Sequence, residues 1–158
     1  MRAEAEVIGL RGDVSFEDLL GHFTSEGVDA VIMDPMQVYG KKMVLSAVIH
    51  AQRAFEQGEN SSKSILTEVL LYASGERQIS KALTKMRPKE GSREYVVAFI
   101  GCGVDPHLEE MGLERDDSII EGNGEKAERM GLTNDLGIPY GDLALERVAM
   151  VDILKKSK

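Results

Sequence analysis

Few residues of this sequence suit disulfide, metal or aromatic chemistry. The 158 residues include one cysteine, three histidines, no tryptophan, four tyrosines and four phenylalanines. Because Cys102 is alone, no internal disulfide can form. His22, His50 and His107 lie far apart, and no histidine has the spacing to a cysteine that a zinc site requires. We therefore expect no metal site.

Long apolar runs are also missing. No stretch approaches the roughly 18 apolar residues that suggest a membrane span. The first ten residues, MRAEAEVIGL, lack the apolar core and small-residue end of a signal peptide. We therefore expect a cytoplasmic protein in a reducing environment, without a membrane partner. The length and a hydrophobic fraction of 42% suit one domain, residues 1–158, with one core.

Positive charge is scarce overall but concentrated in the middle of the chain. The net charge of −8 argues against a general affinity for nucleic acid, whose phosphates attract basic surfaces. Residues 41–93 nevertheless contain ten Lys or Arg and five Asp or Glu, a local net charge of +5, whereas the remainder has a net charge of −13. One interpretation is a single anion-binding face. The alternative is a helix-rich segment whose solvated surfaces carry Lys and Arg.

Hydrophobic spacing predicts a small sheet with helices packed on it. Strands are predicted at residues 4–10 and 28–33, and a central strand covered on both faces at residues 94–102, where YVVAFI is continuous and rich in β-formers. Helices are predicted after Ser15, over residues 41–57, from a cap at residues 60–62 to Ser74, on to Met86, and over residues 124–130 and 141–154. A strand over residues 147–154 is the alternative at the C-terminal end. The fold class is a single-domain α/β or mixed α+β protein.

Catalytic and cofactor motifs are absent or incomplete. Gly101-Cys102-Gly103 follows a strand, as a dinucleotide-binding turn does, but Pro106 and His107 stand where the pattern continues toward its third glycine. We interpret it as an ordinary turn and predict that Cys102 is a buried, inert thiol. The sequence has no phosphate-binding GxxxxGK[ST] and no G-x-S-x-G motif. It predicts no catalytic residue, no cofactor and no enzyme activity.

Several polar residues in the basic middle are candidates for RNA contact. Arg77, Lys81 and Lys85 recur at steps of four on one helix side and can contact phosphates; an exposed helix face is the alternative. His50 and Arg53 lie one turn apart, opposite the predicted core stripe of their helix.

The segment Ser74-Gly75-Glu76-Arg77-Gln78 joins a helix break to a helix N-terminus, whose N–H groups favour anions. Arg and Gln can also hydrogen-bond phosphates and base edges. Tyr39, Tyr72 and Ile79 are the nearest side chains that could cover a base.

The last predicted helix has more apolar residues than one buried face needs. Leucine, valine, alanine, methionine and isoleucine occupy most of residues 143–154. One side can pack on the core, and the surplus indicates a second partner, for which Met150 is adaptable. A fully buried helix is the alternative.

Two segments carry a family resemblance. HAQRAFEQGENSSKS at residues 50–64 and EVLLYASGERQISKAL at residues 68–83 resemble the smallest accessory subunit family of the KEOPS complex, the PRPK-binding protein family. The SGERQI turn behind a Leu-Leu-Tyr helix is the most specific part. The C-terminal LERVAMVDIL is similar as well.

The resemblance implies a non-catalytic subunit of KEOPS, which makes threonylcarbamoyl-adenosine next to the anticodon of tRNAs reading codons that begin with A. It implies binding to the N-terminal lobe of the kinase-like ATPase subunit and, through the kinase, an indirect link to the transferase subunit. Archaeal members bind the single-stranded CCA 3′ end of tRNA. The alternative is a protein-interaction regulator of the kinase without direct RNA contact.

On this basis we expect two groups of site residues. The CCA-end site with its phosphate contacts is expected at His50, Arg53, Ser74, Gly75, Arg77, Gln78, Ile79, Lys81 and Lys85. The kinase contact is expected at Leu145, Val148, Val151 and Leu154.

Overall fold

The computed structural model describes residues 4–156 and confirms the mixed α/β fold. The strands in this range are β1 (Ala5–Gly12), β2 (Ala30–Met33), β3 (Glu94–Ile100) and β4 (Leu113–Arg115). The α-helices there are α1 (Phe16–Glu26), α2 (Lys41–Glu56), α3 (Ile65–Ser74), α4 (Ile79–Met86), α5 (Gly124–Arg129) and α6 (Tyr140–Leu154). Short 3₁₀ turns lie at Pro35–Gln37, Glu109–Met111 and Asp117–Ile120. None of the helices between residues 4 and 156 has both the length and the apolar character required to cross a bilayer.

The four strands pair in the order β2-β3-β1-β4, and every pairing is antiparallel. β3 lies inside the sheet, and residues 95–100 are all buried. Alternate side chains of β3 join different cores, with Tyr95, Val97 and Phe99 on one face and Val96, Ala98 and Ile100 on the other. This confirms the central strand predicted from the continuous apolar run.

Each face of the sheet carries a hydrophobic core. α1 covers one face, where Phe23 meets Phe99 edge to face at 5.5 Å between ring centroids. The larger core lies beneath α2, α3 and α6. The core stripe predicted for α2 from helical spacing has five residues, of which Val44, Ala47, Val48 and Ala51 are buried and Phe55 is half-buried.

The segment at residues 140–154 is a helix, α6, and not the alternative strand. It packs on α2 and α3. Ala144, Val148 and Val151, which recur at helical spacing, are buried in the larger core. Met150 and Ile153 lie outside this stripe and are exposed. α6 therefore has one buried face and one exposed apolar face.

The cap predicted for α3 at residues 60–62 is wrong. The N-cap is Ser64, whose side chain accepts a hydrogen bond from a backbone N–H of the first turn. The backbone N–H groups of Ser61 and Ser62 instead donate to the carboxylate of Glu68, at 3.0 and 2.9 Å. The polar loop before α3 therefore supplies donors to a buried acid instead of capping the helix.

The prediction of a buried Cys102 is also wrong, because its thiol is exposed. β3 ends at Ile100, and Gly101, with a left-handed φ of 72°, takes the chain out of the sheet. The residue that follows therefore lies beyond the region that the strand buries.

Lys126 is a buried lysine that ties α5 to a neighbouring 3₁₀ turn. It is 4% exposed, and its Nζ donates to the Ile119 carbonyl oxygen at 2.5 Å. Burial lowers the pKa of Lys126 to about 8, although nearby acids, chiefly Asp34, raise it. Asp34 is itself buried, and its Oδ2 has no hydrogen-bond partner among the described atoms.

Candidate nucleic-acid interface

The turn between α3 and α4, residues 74–78 (here the Gly75 turn), is held by its own polar groups. Gly75 caps α3 with a left-handed φ of 74°. Ser74 Oγ donates to the carbonyl oxygen of Leu71 at 2.8 Å and accepts from the N–H of Glu76 at 3.1 Å. Ser74 is buried, so its side chain shapes the turn and does not face a ligand.

Four of the predicted RNA-binding residues share the corner where α4 begins. Arg77, Gln78 and Lys81 are exposed, and Ile79 is half-buried. Gln78 is the N-cap of α4 and makes no side-chain capping bond. Uncapped N–H groups at a helix N-terminus carry partial positive charge and attract anions. This corner therefore combines polar side chains with a positive helix end.

Lys85 is half-buried beneath the same turn. Its Nζ donates to the Ser74 carbonyl oxygen at 2.9 Å and lies 3.7 Å from the Glu76 carboxylate. Burial lowers the pKa of Lys85, the nearby positive charge of Arg147 lowers it further, and Glu76 raises it. Lys85 thus holds the end of α3 and also adds positive charge under the turn.

Arg147 of α6 crosses the Gly75 turn and was missed by sequence reasoning. A Cβ at Gly75 would lie 2.5 Å from Arg147 Cγ and 2.7 Å from Cδ, so only glycine leaves room for this side chain. Burial lowers the pKa of Arg147, while Glu76 raises it. The one signal available in the sequence was that Arg147 is the only Lys or Arg in a mostly apolar helix.

His50 and Arg53 lie on α2 instead of on the turn. His50 Nδ1 is 2.8 Å from Asp152 Oδ2 on α6, and its ring stacks on Tyr72 with 5.4 Å between centroids. Arg53 is half-buried, one helical turn after His50. The structure therefore places His50 in a separate polar cluster, described next, and not among the residues of the Gly75 turn.

This polar cluster fastens the end of α6 to α3. The Tyr72 hydroxyl donates to Asp152, and Lys155 Nζ donates to Glu68 Oε2 at 2.6 Å and to the Tyr72 oxygen at 3.1 Å. Glu68 is fully buried. Burial raises its pKa, but hydrogen bonds from Lys155 and the backbone of Ser61 and Ser62 outweigh this and lower it. Every member of the cluster that is buried is therefore paired.

Two of the four residues predicted to contact the kinase are core residues. Val148 and Val151 are 0% exposed and belong to the larger core, so neither side chain can reach a partner while the chain is folded. The assignment of these two residues was wrong because helical spacing does not say which of two apolar faces is covered. Leu145 and Leu154 are half-buried.

The large apolar side chains of α6 that are exposed are Met150 and Ile153, at 41% and 60%. Together with Leu145 and Leu154 they form the surface here named the α6 outer face.

A second group of basic residues lines a hollow on another part of the described chain, where its arginines form ion pairs. A hollow of about 760 Å³ lies between the start of α1 and residues 87–93. Its arginines pair with nearby acids, Arg87 with Glu17 and Arg93 with Asp13, each at 3.0 Å. Within residues 4–156, no group of three or more His, Cys, Asp or Glu side chains is arranged to hold a metal ion.

Comparison with known proteins places the fold and the turn in a family. Residues 17–136 match the family model described as kinase binding protein CGI-121. Over 129 residues the chain is 27% identical to the EKC/KEOPS complex subunit cgi121 of Schizosaccharomyces pombe, an alignment that covers 82% of this chain and 65% of the relative. The chain thus spans slightly less than two thirds of that relative's length. Because the family model matches most of the chain, from α1 through α5 and including the Gly75 turn, the protein belongs to the kinase binding protein CGI-121 family.

Proposed function

We propose that the chain is a non-catalytic subunit of a KEOPS-like complex that binds the kinase-like ATPase subunit and recruits tRNA through its single-stranded CCA 3′ end. In this role it supports threonylcarbamoyl-adenosine formation next to the anticodon, and it reaches the transferase subunit through the kinase. The family description names kinase binding, and the relative's name places that protein in KEOPS. The observation that carries the RNA part is the exposed, basic corner at the start of α4.

The Gly75 turn has the chemistry that an RNA strand end requires. Arg77 and Lys81 provide charge for phosphates, and Gln78 can donate to and accept from a base edge. Tyr72 is fully buried and cannot stack on a base, and Tyr39 is half-buried against Tyr140, with ring centroids 6.1 Å apart. A base at this corner would therefore lie against the half-buried Ile79 instead of an aromatic ring.

The α6 outer face is the surface proposed for the kinase. The side chains of Met150 and Ile153 are exposed there, and large exposed apolar side chains grouped on a helix are typical of protein interfaces. The α6 outer face replaces the kinase contact predicted from the sequence, which included the buried Val148 and Val151.

The RNA part is tested by measuring the binding of the isolated chain to a full tRNA and to the same tRNA lacking its CCA end. We expect the wild type to bind the full tRNA at least about tenfold more tightly, since a recognised end contributes several polar contacts. Arg77→Glu should lose most of this difference. Arg11→Glu, which changes an exposed arginine of β1 by the same charge, is the control. Equal binding of both tRNAs by the wild type would contradict recognition of the end.

A regulator of the kinase without RNA contact is the second candidate. It is favoured by the internal use of Lys85, which bonds to Ser74 and lies 3.7 Å from Glu76. Charge that is already neutralised within the fold would not attract phosphate. Absence of any salt-dependent tRNA binding by the isolated chain would select this candidate.

A further inference from the structure

Arg147 is held in a fixed position at the Gly75 turn. Its stem lies against Gly75, and one guanidinium nitrogen would stand 3.9 Å from a Cβ at Gly131. Gly75 therefore leaves the space that the stem of Arg147 occupies, and Gly131 borders the guanidinium at an ordinary van der Waals distance. Such confinement limits the rotamers of a long side chain and reduces the entropy lost when the side chain binds a ligand.

The guanidinium of Arg147 has no acidic partner in contact with it. No hydrogen bond or ion pair of the described residues involves its nitrogens, and Glu76 acts on it only from a longer distance. A half-buried cation without a partner costs free energy, because it loses hydration and gains no compensating bond. Charges kept at such a cost are often found where a ligand supplies the partner.

Lys85 is a second cation beside this guanidinium. The two charges are close enough that Arg147 lowers the pKa of Lys85. Glu76 is the one acid that influences both groups, so the trio has a surplus of one positive charge. A second acid, Glu146, lies on the rim of the hollow next to Arg147. A bound anion stabilises two like charges that share a single counter-charge.

Space for a ligand adjoins the guanidinium. A hollow of about 200 Å³ lies between α6 and the segment after α5, and Gly131, Thr133 and Arg147 are among its walls. The planar guanidinium can donate two parallel hydrogen bonds to a phosphate, and the Thr133 hydroxyl can add a third. The exposed corner of Arg77 and Gln78 is part of the same Gly75 turn.

We infer that Arg147 binds a backbone phosphate of a single-stranded RNA end next to the Gly75 turn, while Lys85, which is hydrogen-bonded beneath that turn, adds positive charge nearby. The inference rests on the proposed function, because that function supplies the RNA end. It adds a residue of α6, which lies beyond the segment matched by the family model, to a site otherwise built from α3 and α4.

The test uses Arg147→Met, which keeps an aliphatic stem across Gly75 and removes the charge. Dissociation constants are measured for full tRNA and for tRNA lacking its CCA end, over a range of salt concentrations, with folding checked by thermal unfolding. We expect binding of full tRNA to weaken by about tenfold, and the slope of log K against log salt to fall by about 0.7, the value for one phosphate of a single strand. The control Arg11→Met removes the same charge from β1 and should change neither quantity appreciably.

Glu76→Gln provides an independent measurement if Arg147→Met unfolds. Removing the competing carboxylate should tighten binding of full tRNA by about threefold, as a weak surface ion pair would allow. Unchanged affinity in this variant, or an Arg147→Met variant that is folded and binds like the wild type, overturns the inference.

Two further outcomes separate this inference from the proposed function. A wild type that does not distinguish the two tRNAs contradicts the proposed function, even if Arg147→Met weakens both complexes equally. Inorganic phosphate that stabilises the wild type but not Arg147→Met against heating, while tRNA binding is independent of Arg147, assigns the site to free phosphate and overturns the assignment to RNA.

Discussion

At the scale of the residue, Gly75 meets two separate requirements. Its left-handed φ of 74° is unfavourable for residues with a side chain, and the stem of Arg147 occupies the volume of a Cβ. Gly27, which caps α1, has a similar φ of 67° but open space around it. A comparison of Gly75 with Gly27 therefore separates the cost of placing a side chain on a left-handed backbone from the cost of a steric clash with Arg147.

We predict that Gly75→Ala destabilises the protein more than Gly27→Ala does. Each substitution should cost about 1 kcal/mol through its backbone conformation. The contact with Arg147 should add about 1–3 kcal/mol at Gly75, as overpacking does in cores. Urea unfolding of both variants measures the difference, and equal losses would mean that Arg147 moves aside without cost.

The residues that sequence reasoning found and missed differ in the range of their contacts. Arg77, Gln78 and Lys81 were found because they follow one another along a single helix start, where spacing alone brings them together. Arg147 was missed because it reaches the turn across 72 residues of chain, through the packing of α6 on α3. Periodicity describes neighbours on one element and has no information about such a contact.

At the scale of the element, α6 is the helix whose role changed most between sequence and structure. Its apolar residues surround most of the helix, so the sequence could predict a surplus but not which side is buried. Packing on α2 and α3 buries Val148 and Val151 and leaves Met150 and Ile153 exposed. β4 was not predicted at all, because a strand of three residues is too short to show alternation.

We predict that Met150→Asp weakens binding to the kinase-like subunit without unfolding the chain. Met150 is 41% exposed on the α6 outer face, so a carboxylate there stays hydrated when free but would be buried in an interface. Leu20→Asp is the matched control, since Leu20 is 43% exposed on α1, at the opposite face of the sheet. Co-purification with the kinase should fall at least about tenfold for Met150→Asp alone. Equal retention of both variants would place the kinase elsewhere.

At the scale of the whole molecule, stability should depend on pH through Lys126. Its pKa is lowered to about 8 in the folded chain, from an ordinary value of 10.5. Between these values the unfolded chain binds more protons than the folded chain, so this lysine makes stability rise as the pH increases through that window. The burial of its charge at pH 7 therefore costs up to about 3 kcal/mol, which is recovered at alkaline pH.

The measurement is the free energy of unfolding of the wild type and of Lys126→Met at pH 7 and at pH 10. The wild type should gain stability relative to the variant as the pH rises, because methionine does not titrate. Lys126→Met also loses the hydrogen bond to Ile119, but that loss lowers the free energy of unfolding of the variant by the same amount at both pH values. Parallel profiles would show that Lys126 is hydrated in the folded chain.

The layers of the fold could be predicted from the sequence more fully than its contacts. The three longer strands and the helices follow from hydrophobic spacing, because each pattern reflects which side of one element is buried. The polar cluster of Glu68, Tyr72, Asp152 and Lys155 could not be predicted, because its members lie far apart in the sequence and no spacing rule joins them. The exposure of Cys102 could not be predicted either, because the apolar run does not show that β3 ends at Ile100.

α6 is fixed at its middle, by Arg147 across the Gly75 turn, and at its C-terminal end, by Lys155 on Glu68. Arg147 and Ile153 are six residues apart on this one helix, which corresponds to a rise of about 9 Å. The helix thus fixes the separation between Arg147, proposed to contact RNA, and Ile153, proposed to contact the kinase. A tRNA held at the turn would be presented to the kinase at a height determined by helix geometry, and inserting one residue between these positions would rotate one surface by about 100° relative to the other.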